Sequence, residues 1–205
     1  MGVREFTEKA IEMFENTSDW VAEKLAEPVK NLKIKVASKK VPWIQTAKSH
    51  YGIKEIPGSR SNQTILNWAK QLTGWPRNYY KNDDIPWCGL FVAHCLLDND
   101  IPVTIENPLS AKAWNEYGVK IKPCFGAIMV FSRNGGGHVG FYMSEDNSYY
   151  HILGGNQSNS VNVTKVAKSR FLGARWPKGY DTLYQQNKEI VIHKSFDGEI
   201  STNEE

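Results

Sequence analysis

The pattern of apolar residues changes near residue 126, and this change constrains the fold more than any other feature of the chain. Before it, apolar residues recur at the three-to-four-residue spacing of amphipathic helices; after it, they form short β-rich runs separated by Gly- and Asn-rich turns. The runs lie at residues 126–131, 138–143, 149–153, 161–163 and 173–176, with a further edge strand predicted at 189–193. Helices followed by consecutive strands are typical of an α+β fold, in which a helical part packs on an antiparallel sheet.

The same pattern divides the chain into three parts. Residues 1–40 are predicted to form a helical N-terminal extension with two amphipathic helices, and this extension serves either as a hairpin packed on the body or as a docking element for delivery. Residues 41–178 form the main domain, which begins with a helix from Pro42 to Gly52 and another over residues 62–72. Residues 179–205 form a C-terminal extension that ends in an acidic tail.

Composition and charge exclude several classes of protein. The 205 residues are 40% hydrophobic, which is enough for a real core, and the net charge of +3 comes from scattered lysines, which argues against nucleic acid as a partner. Three cysteines without paired spacing argue against a disulfide framework and against a metal site. Residues 1–9 carry charges where a signal peptide needs its apolar stretch, and no apolar run has membrane-spanning length. We therefore expect a protein that is made in the cytoplasm without an ordinary export signal, has no membrane span and needs no cofactor.

One cysteine stands where an irregular polar segment gives way to a predicted helix. Pro86 suits the first helical turn, and the apolar residues that follow Cys88 recur at helical spacing. The thiol of Cys88 would then lie near the positive end of the helix dipole, which favours the thiolate that attacks carbonyl groups. The sequence thus predicts Cys88 as a nucleophile.

A histidine follows at the start of an apolar strand. His138 comes directly after a glycine-rich turn, where its ring can face a cleft. A cysteine at a helix N-terminus and a histidine on a neighbouring strand form the pair that thiol catalysis needs, because imidazole takes the thiol proton and later gives it to the leaving amine. We therefore predict His138 as the general base.

The imidazole also needs a partner that holds its orientation, and the next strand offers three candidates. If residues 146–147 form a two-residue turn, His138 lies opposite residue 155, and one more loop residue moves Asn156 into that place. His151 would be on the order of 13 Å away at about 3.3 Å per residue. Asn156 or Gln157 is therefore the predicted orienting residue, and His151 is an alternative only if the turn comes earlier.

Five blocks of residues resemble a known family. They are Pro86-Trp87-Cys88, Pro123 through Phe131, Gly137-His138-Val139-Gly140-Phe141-Tyr142, Leu153 through Gln157, and Arg175-Trp176-Pro177. The chain from about 42 to 177 resembles the NlpC and CHAP peptidoglycan cysteine hydrolases, and is most similar to the compact subgroup of phage lysins and type VI secretion effectors. The resemblance implies a papain-like fold and cleavage of a peptide or amide bond in the cell-wall stem peptide. It also implies Cys88 as nucleophile, His138 as base and Asn156 as the polar third residue. It also implies that Trp87, Glu55 and Gln157 contact the substrate.

These features together predict an antibacterial secreted effector that acts through an acyl-enzyme in the periplasm or cell wall of a target bacterium. We expect this protein to be a monomer that binds the stem peptide. The resemblance implies two further partners, a cognate immunity protein and a component of a secretion machine. Three alternatives remain open at this stage. They are a phage endolysin with the same chemistry, an acyltransferase that uses the same Cys-His pair, and a non-catalytic wall-binding module.

Overall fold

A six-stranded antiparallel sheet lies at the centre of the computed structural model, which describes residues 41–189, 191–192 and 200. The strands stand in the order β1-β6-β2-β3-β4-β5. Their bounds are β1 Val119–Ile121, β2 Ile128–Arg133, β3 Gly136–Glu145, β4 Tyr149–Gln157, β5 Ser160–Ala167 and β6 Phe171–Trp176. The predicted α+β class is confirmed, and the five predicted runs from 126 to 176 correspond to β2 through β6. The helices predicted over 4–35 and the acidic end of the tail lie outside the described residues.

Five α-helices and two 3₁₀ helices surround this sheet in the described part of the chain. The α-helices are α1 Pro42–Ser49, α2 Gln63–Ala69, α3 Gly74–Tyr79, α4 Cys88–Leu97 and α5 Asp181–Asn187, and the 3₁₀ helices are Ala111–Glu116 and Lys168–Arg170. The Asn62 side chain accepts a hydrogen bond from the Thr64 amide at 2.9 Å, which caps the start of α2. Both α1 and α2 end earlier than predicted, and α3, α5 and β1 were not predicted. Among the described residues, no helix combines the length and apolar character needed to cross a bilayer.

The helix that begins with Cys88 is the central helix of the core. All residues of α4 from Cys88 to Leu96 are buried, so both faces of this helix are packed. The Phe91 and Phe141 rings meet at 6.3 Å and join α4 to β3. A helix buried on all sides is held in a fixed position, which in turn fixes the position of its first residue.

Two hairpins set the register of the strand that carries His138. Arg133 pairs with Gly136, so a two-residue turn at 134–135 joins β2 and β3. Gly135, the second central residue of this turn, has a φ of +77°, which glycine adopts without strain. The β3–β4 turn differs from the predicted two residues at 146–147, because Glu145 pairs with Tyr150. The carboxylate of Asp146 accepts hydrogen bonds from two backbone amides within this loop and stabilises the wider turn.

The edge strand predicted at 189–193 is not seen at the three residues of this segment that the structure describes. Glu189, Val191 and Ile192 are described and lie outside any strand. The Ile192 carbonyl nevertheless accepts a hydrogen bond from the Glu145 amide at 2.8 Å, so Ile192 lies at the end of β3.

Candidate active site

Cys88 is the first residue of α4, and Trp87 is its N-cap. The Phe91 amide donates to the Trp87 carbonyl at 2.9 Å and closes the first helical turn. Pro86 was predicted within this turn, but the helix begins two residues later because Trp87 has a non-helical backbone with φ −122° and ψ 13°. The thiol therefore belongs to the first residue of a ten-residue helix, where the dipole and the unpaired amides stabilise negative charge.

Solvent exposure distinguishes Cys88 from the other two cysteines, all three being free thiols. Cys95 and Cys124 are fully buried, whereas Cys88 keeps 7% of its surface exposed. Burial, with a smaller contribution from the charge of Asp98, raises the pKa of Cys95 well above its usual value, and burial raises the pKa of Cys124 to about 12. Neither of these two is a thiolate at neutral pH. Cys88 is therefore the one cysteine that could meet a substrate.

The His138 ring is fixed by Gln157. The imidazole is 1% exposed, and its Nε2 lies 2.9 Å from Oε1 of Gln157. The Gln157 amide nitrogen donates to the carbonyl oxygens of Ile152 and Asn162, at 3.2 and 2.6 Å, and to Oδ1 of Asn162 at 2.9 Å. Because only the NH₂ group of the Gln157 side chain can donate to these acceptors, its Oε1 faces the imidazole. Oε1 is an acceptor, so we assign the proton to Nε2 of His138. In the neutral ring the basic lone pair is then on Nδ1.

A bulge in β4 explains why Gln157 reaches His138. The β4–β5 register shifts between Gly154 and Gln157, and Asn156 has a positive φ of +55°. Regular alternation would place Gly154 and Gln157 on opposite faces of the strand, but a Cβ at Gly154 would lie 2.8 Å from Oε1 of Gln157 and 3.2 Å from Nε2 of His138. The bulge therefore turns Gln157 toward the imidazole, and the partner that the structure shows is Gln157, with Asn156 buried in the bulge beside it.

His151 belongs to a separate network near the β3–β4 turn. Its Nδ1 lies 2.7 Å from Oγ of Ser144, and its Nε2 lies 3.1 Å from the Asp146 carboxylate. Burial lowers the pKa of His151, and the hydrogen bond to Asp146 partly opposes this. Both ring nitrogens are thus engaged at the turn, several residues along the strand from Gln157.

Two consecutive glycines link the start of α4 to the His138 ring. A Cβ at Gly155 would lie 2.6 Å from both Cβ of Phe91 and Cζ3 of Trp87, so the β4 backbone packs directly on the beginning of the helix. Gly154, the preceding residue, lies against Nε2 of His138. Trp87, which precedes Cys88, lies against Gly155, and the imidazole of His138 lies against Gly154. The two therefore contact adjacent residues of β4.

A group of acidic and aromatic side chains lies next to Trp87. Its indole Nε1 donates to Oε1 of Glu55 at 2.6 Å. Burial raises the pKa of Glu55, the hydrogen bond from Trp87 opposes this, and the charges of Asp83 and Asp84 raise it further. Burial also raises the pKa of Tyr80, and smaller contributions come from the charges of Asp83, Glu55, Asp84 and Cys88.

The sequence predicted Glu55 and Trp87 in this region but missed Tyr80 and Asp83. Asp83 and its neighbour Asp84 stand directly before the Ile-Pro-Trp-Cys run, and this acidic pair was a signal that could have directed attention to them. Tyr80 gave no such signal, since it looked like any other aromatic residue in a polar segment.

Comparison with known proteins returns no match: the chain fits no protein-family model, no curated protein and no solved structure. The site geometry and the resemblance of the sequence blocks are therefore the grounds on which a function is proposed.

Proposed function

We propose that this protein is a papain-like cysteine hydrolase of the NlpC/CHAP type, which cleaves a peptide or amide bond in the stem peptide of peptidoglycan. The observation that carries the proposal is the hydrogen bond between His138 and Gln157, which orients an imidazole beside the strand that packs on the start of α4. A buried imidazole whose Nε2–H is held by an amide oxygen carries its basic lone pair on Nδ1 and is suited to accept a thiol proton. Cys88 provides that thiol.

The reaction proceeds in two halves. His138 takes the thiol proton through Nδ1, and Sγ of Cys88 attacks the carbonyl carbon of the scissile bond. The backbone N–H of Cys88, at the helix N-terminus, donates to the oxyanion of the tetrahedral intermediate. When the C–N bond breaks, the imidazolium protonates the leaving amine and a thioester remains. Water, deprotonated by the same imidazole, hydrolyses the thioester to a carboxylate and restores the thiol.

The sequence blocks that resemble the peptidoglycan hydrolases support this substrate class. The Pro-Trp-Cys block leads into α4, whose first residue is Cys88, the Gly-His-Val-Gly block lies in β3, and the block that ends with Gln157 forms the end of β4. The hydrogen bond between His138 and Gln157 joins two of these blocks, and the close approach of Gly155 to Trp87 joins the third to them. Under this proposal the protein acts in the periplasm or cell wall of a target bacterium as a secreted effector.

Digestion of purified sacculi tests the proposal. We expect the wild type to release fragments whose masses show the gain of one water per cut bond, and Cys88→Ala to release none. Cys124→Ala is the matched control, since it removes a thiol that has no solvent exposure, and melting curves check that both variants fold. Equal release of fragments by Cys88→Ala would refute Cys88 as the nucleophile. No release by the wild type would favour a wall-binding module, and new cross-linked products would indicate an acyltransferase.

Delivery is tested separately by removing residues 1–38. If this segment is a loading element, the truncated protein still hydrolyses purified sacculi but no longer kills neighbouring cells when expressed in the producing strain. Loss of hydrolysis would show instead that the segment is needed for the fold.

A further inference from the structure

Two large aromatic side chains of α3 are exposed to solvent. Trp75 keeps 45% of its surface exposed and Tyr79 keeps 59%, and these are the two aromatic residues among the exposed large hydrophobic side chains of the described chain. Their rings stand four residues apart on the helix and meet edge to face, with centroids 5.9 Å apart, so each limits the motion of the other. Exposed aromatic rings that are clustered in this way are typical of binding surfaces.

Trp75 forms one side of a groove of about 320 Å³, a volume in the range of small-ligand sites. The link between α2 and α3 and the segment 103–108 form its other sides. The apolar residues that line it are buried or half-buried, and they are Leu72, Pro76, Leu97, Val103, Ile105 and Pro108. The groove therefore combines an apolar surface with an exposed aromatic ring.

The polar side chains at the groove carry a single charge between them. They belong to Gln71, Thr73 and Glu106, which are all exposed, and the described lining contains no lysine or arginine. Oε1 of Gln71 lies 2.6 Å from Nδ1 of the buried His94, whose ring is stacked on Trp68 at 5.0 Å. This contact holds the glutamine side chain in place, and its NH₂ group remains a donor. A ligand in the groove thus finds a fixed amide, a hydroxyl group and a carboxylate.

This combination fits a neutral sugar. A pyranose ring has an apolar face of C–H groups that packs flat on an aromatic ring such as Trp75, and its hydroxyl groups both donate and accept hydrogen bonds. An acetamido group adds a methyl group for the apolar lining and an amide for hydrogen bonds to Gln71 and Thr73. A phosphate or another anion would instead face Glu106 without a cation beside it.

The groove shares a wall with the start of α4. A Cβ at Gly89, the residue after Cys88, would overlap the carbonyl oxygen of Pro108, which lines the groove. The same carbonyl accepts a hydrogen bond from the Trp114 indole at 3.0 Å, which fixes this part of the segment. A ligand in the groove therefore contacts a segment that packs directly on the residue next to the proposed nucleophile.

Resting on the proposed function, we propose that this groove binds an N-acetylated sugar of the glycan strand, stacked on Trp75, while a stem peptide of the same polymer reaches Cys88. Peptidoglycan joins its stem peptides to strands of N-acetylated sugars, so one substrate molecule presents both parts. Linking the two contacts within one molecule raises the affinity for the intact polymer. A stem peptide without its sugar gains nothing from the groove.

The first measurement is independent of catalysis and uses the Trp75 indole N–H as a reporter. In the full-length Cys88→Ala protein, labelled with nitrogen-15, the indole signal is assigned by its loss in Trp75→Phe and followed during titration with triacetylchitotriose. Cellotriose is the control, since it has the same length and linkage but a hydroxyl group in place of each acetamido group. We expect a saturable shift with triacetylchitotriose and binding of cellotriose that is about tenfold weaker or less.

Two results of this titration would overturn the proposal. Equal binding of the two sugars would show that the acetamido group is not recognised. A Trp75 indole that responds to neither sugar would leave Trp75 and Tyr79 as a surface for a protein partner instead.

Substitutions then test the aromatic contact, with affinities measured by titration calorimetry. We expect Trp75→Ala to weaken binding of triacetylchitotriose by about tenfold or more, because the ring that stacks on the sugar is lost. Trp75→Tyr keeps an aromatic face and should bind within about threefold of the parent protein. Leu172→Ala is the matched control, since Leu172 lies on β6 and is also 45% exposed. Binding by Trp75→Ala that equals binding by Leu172→Ala, with melting curves showing both folded, overturns the proposal.

The second measurement separates the sugar site from the proposed function. Wild-type kcat/KM is compared for a disaccharide-tetrapeptide and for the N-lactyl tetrapeptide, which keeps the linkage but lacks the sugars. We expect the disaccharide to raise kcat/KM by about tenfold, and Trp75→Ala to remove this gain while leaving kcat/KM for the N-lactyl peptide unchanged. Equal hydrolysis of both substrates by the wild type overturns the sugar site and leaves the hydrolase standing. Binding of triacetylchitotriose that depends on Trp75, without hydrolysis of any peptidoglycan substrate, supports the sugar site and overturns the hydrolase.

Discussion

Gly155→Ala is expected to damage both stability and activity, because no space exists for a methyl group at this position. The added carbon would lie 2.6 Å from Cβ of Phe91 and 2.6 Å from Cζ3 of Trp87. Carbon atoms in ordinary contact are about 3.5–4.0 Å apart, so a gap of about 1 Å must open between β4 and α4. Both neighbours are fully buried, and neither can move aside into solvent.

The cost follows from this geometry. Overpacking of a core lowers the free energy of unfolding by about 1–3 kcal/mol. In a protein of 150–250 residues each kcal/mol corresponds to about 2–4 °C, so the melting temperature should fall by about 2–12 °C. Because Trp87 precedes Cys88, displacement of its ring also displaces the thiol, and a misplacement of about 1 Å can lower the rate about 10²-fold.

Calorimetric melting and kcat/KM on a stem peptide measure the two effects. Gly136→Ala is the matched control, since a Cβ at that position meets nothing within 4 Å, and it should melt within about 0.5 kcal/mol of the wild type. Gly154→Ala, which crowds the side chains of Gln157 and His138, should lose activity out of proportion to stability. A Gly155→Ala protein that melts and hydrolyses like Gly136→Ala would refute the packing of β4 on the start of α4 as the device that positions Cys88.

Three further predictions address the catalytic pair and the core. Gln157→Leu should lower kcat by about 10²-fold while Cys88 stays reactive toward thiol reagents, because the His138 ring loses its orientation; unchanged kcat would show that Gln157 is not the positioning residue. Iodoacetamide should add one mass equivalent to the native protein, at Cys88, and three in denaturant, since the other cysteines are fully buried; modification of a second cysteine in the native state would contradict this. Burial, together with the neighbouring His50, lowers the pKa of His94 to about 4 from 6.5. Between these two pH values the folded state binds fewer protons than the unfolded state, so the free energy of unfolding should fall by about 3 kcal/mol as the pH drops from 6.5 to 4. The urea midpoint of the wild type should therefore fall more over this range than that of His94→Gln, and an equal fall in both would contradict the prediction.

The sequence by itself determined the features that depend on local spacing. Apolar residues at helical intervals after Cys88 predicted a helix that starts near the thiol, and the structure begins that helix at Cys88. The glycine-rich stretch before His138 predicted a turn between two β-rich runs, and the structure forms a two-residue turn there with His138 opposite Phe131. These elements were predictable because backbone preference and side-chain period act over a few neighbouring residues.

The tertiary structure alone decided which side chains meet. Gln157 reaches His138 because the pairing of β4 with β5 places a bulge at Asn156 and provides Asn162 as an acceptor for its amide, and no local pattern specifies that bulge. Asp83 is buried because the amides of Ile56 and Asn62, from a distant segment, donate to one of its oxygens. Side-chain contacts of this kind depend on how separate segments pack, and hydrogen bonding across such distances leaves no periodic trace in the sequence.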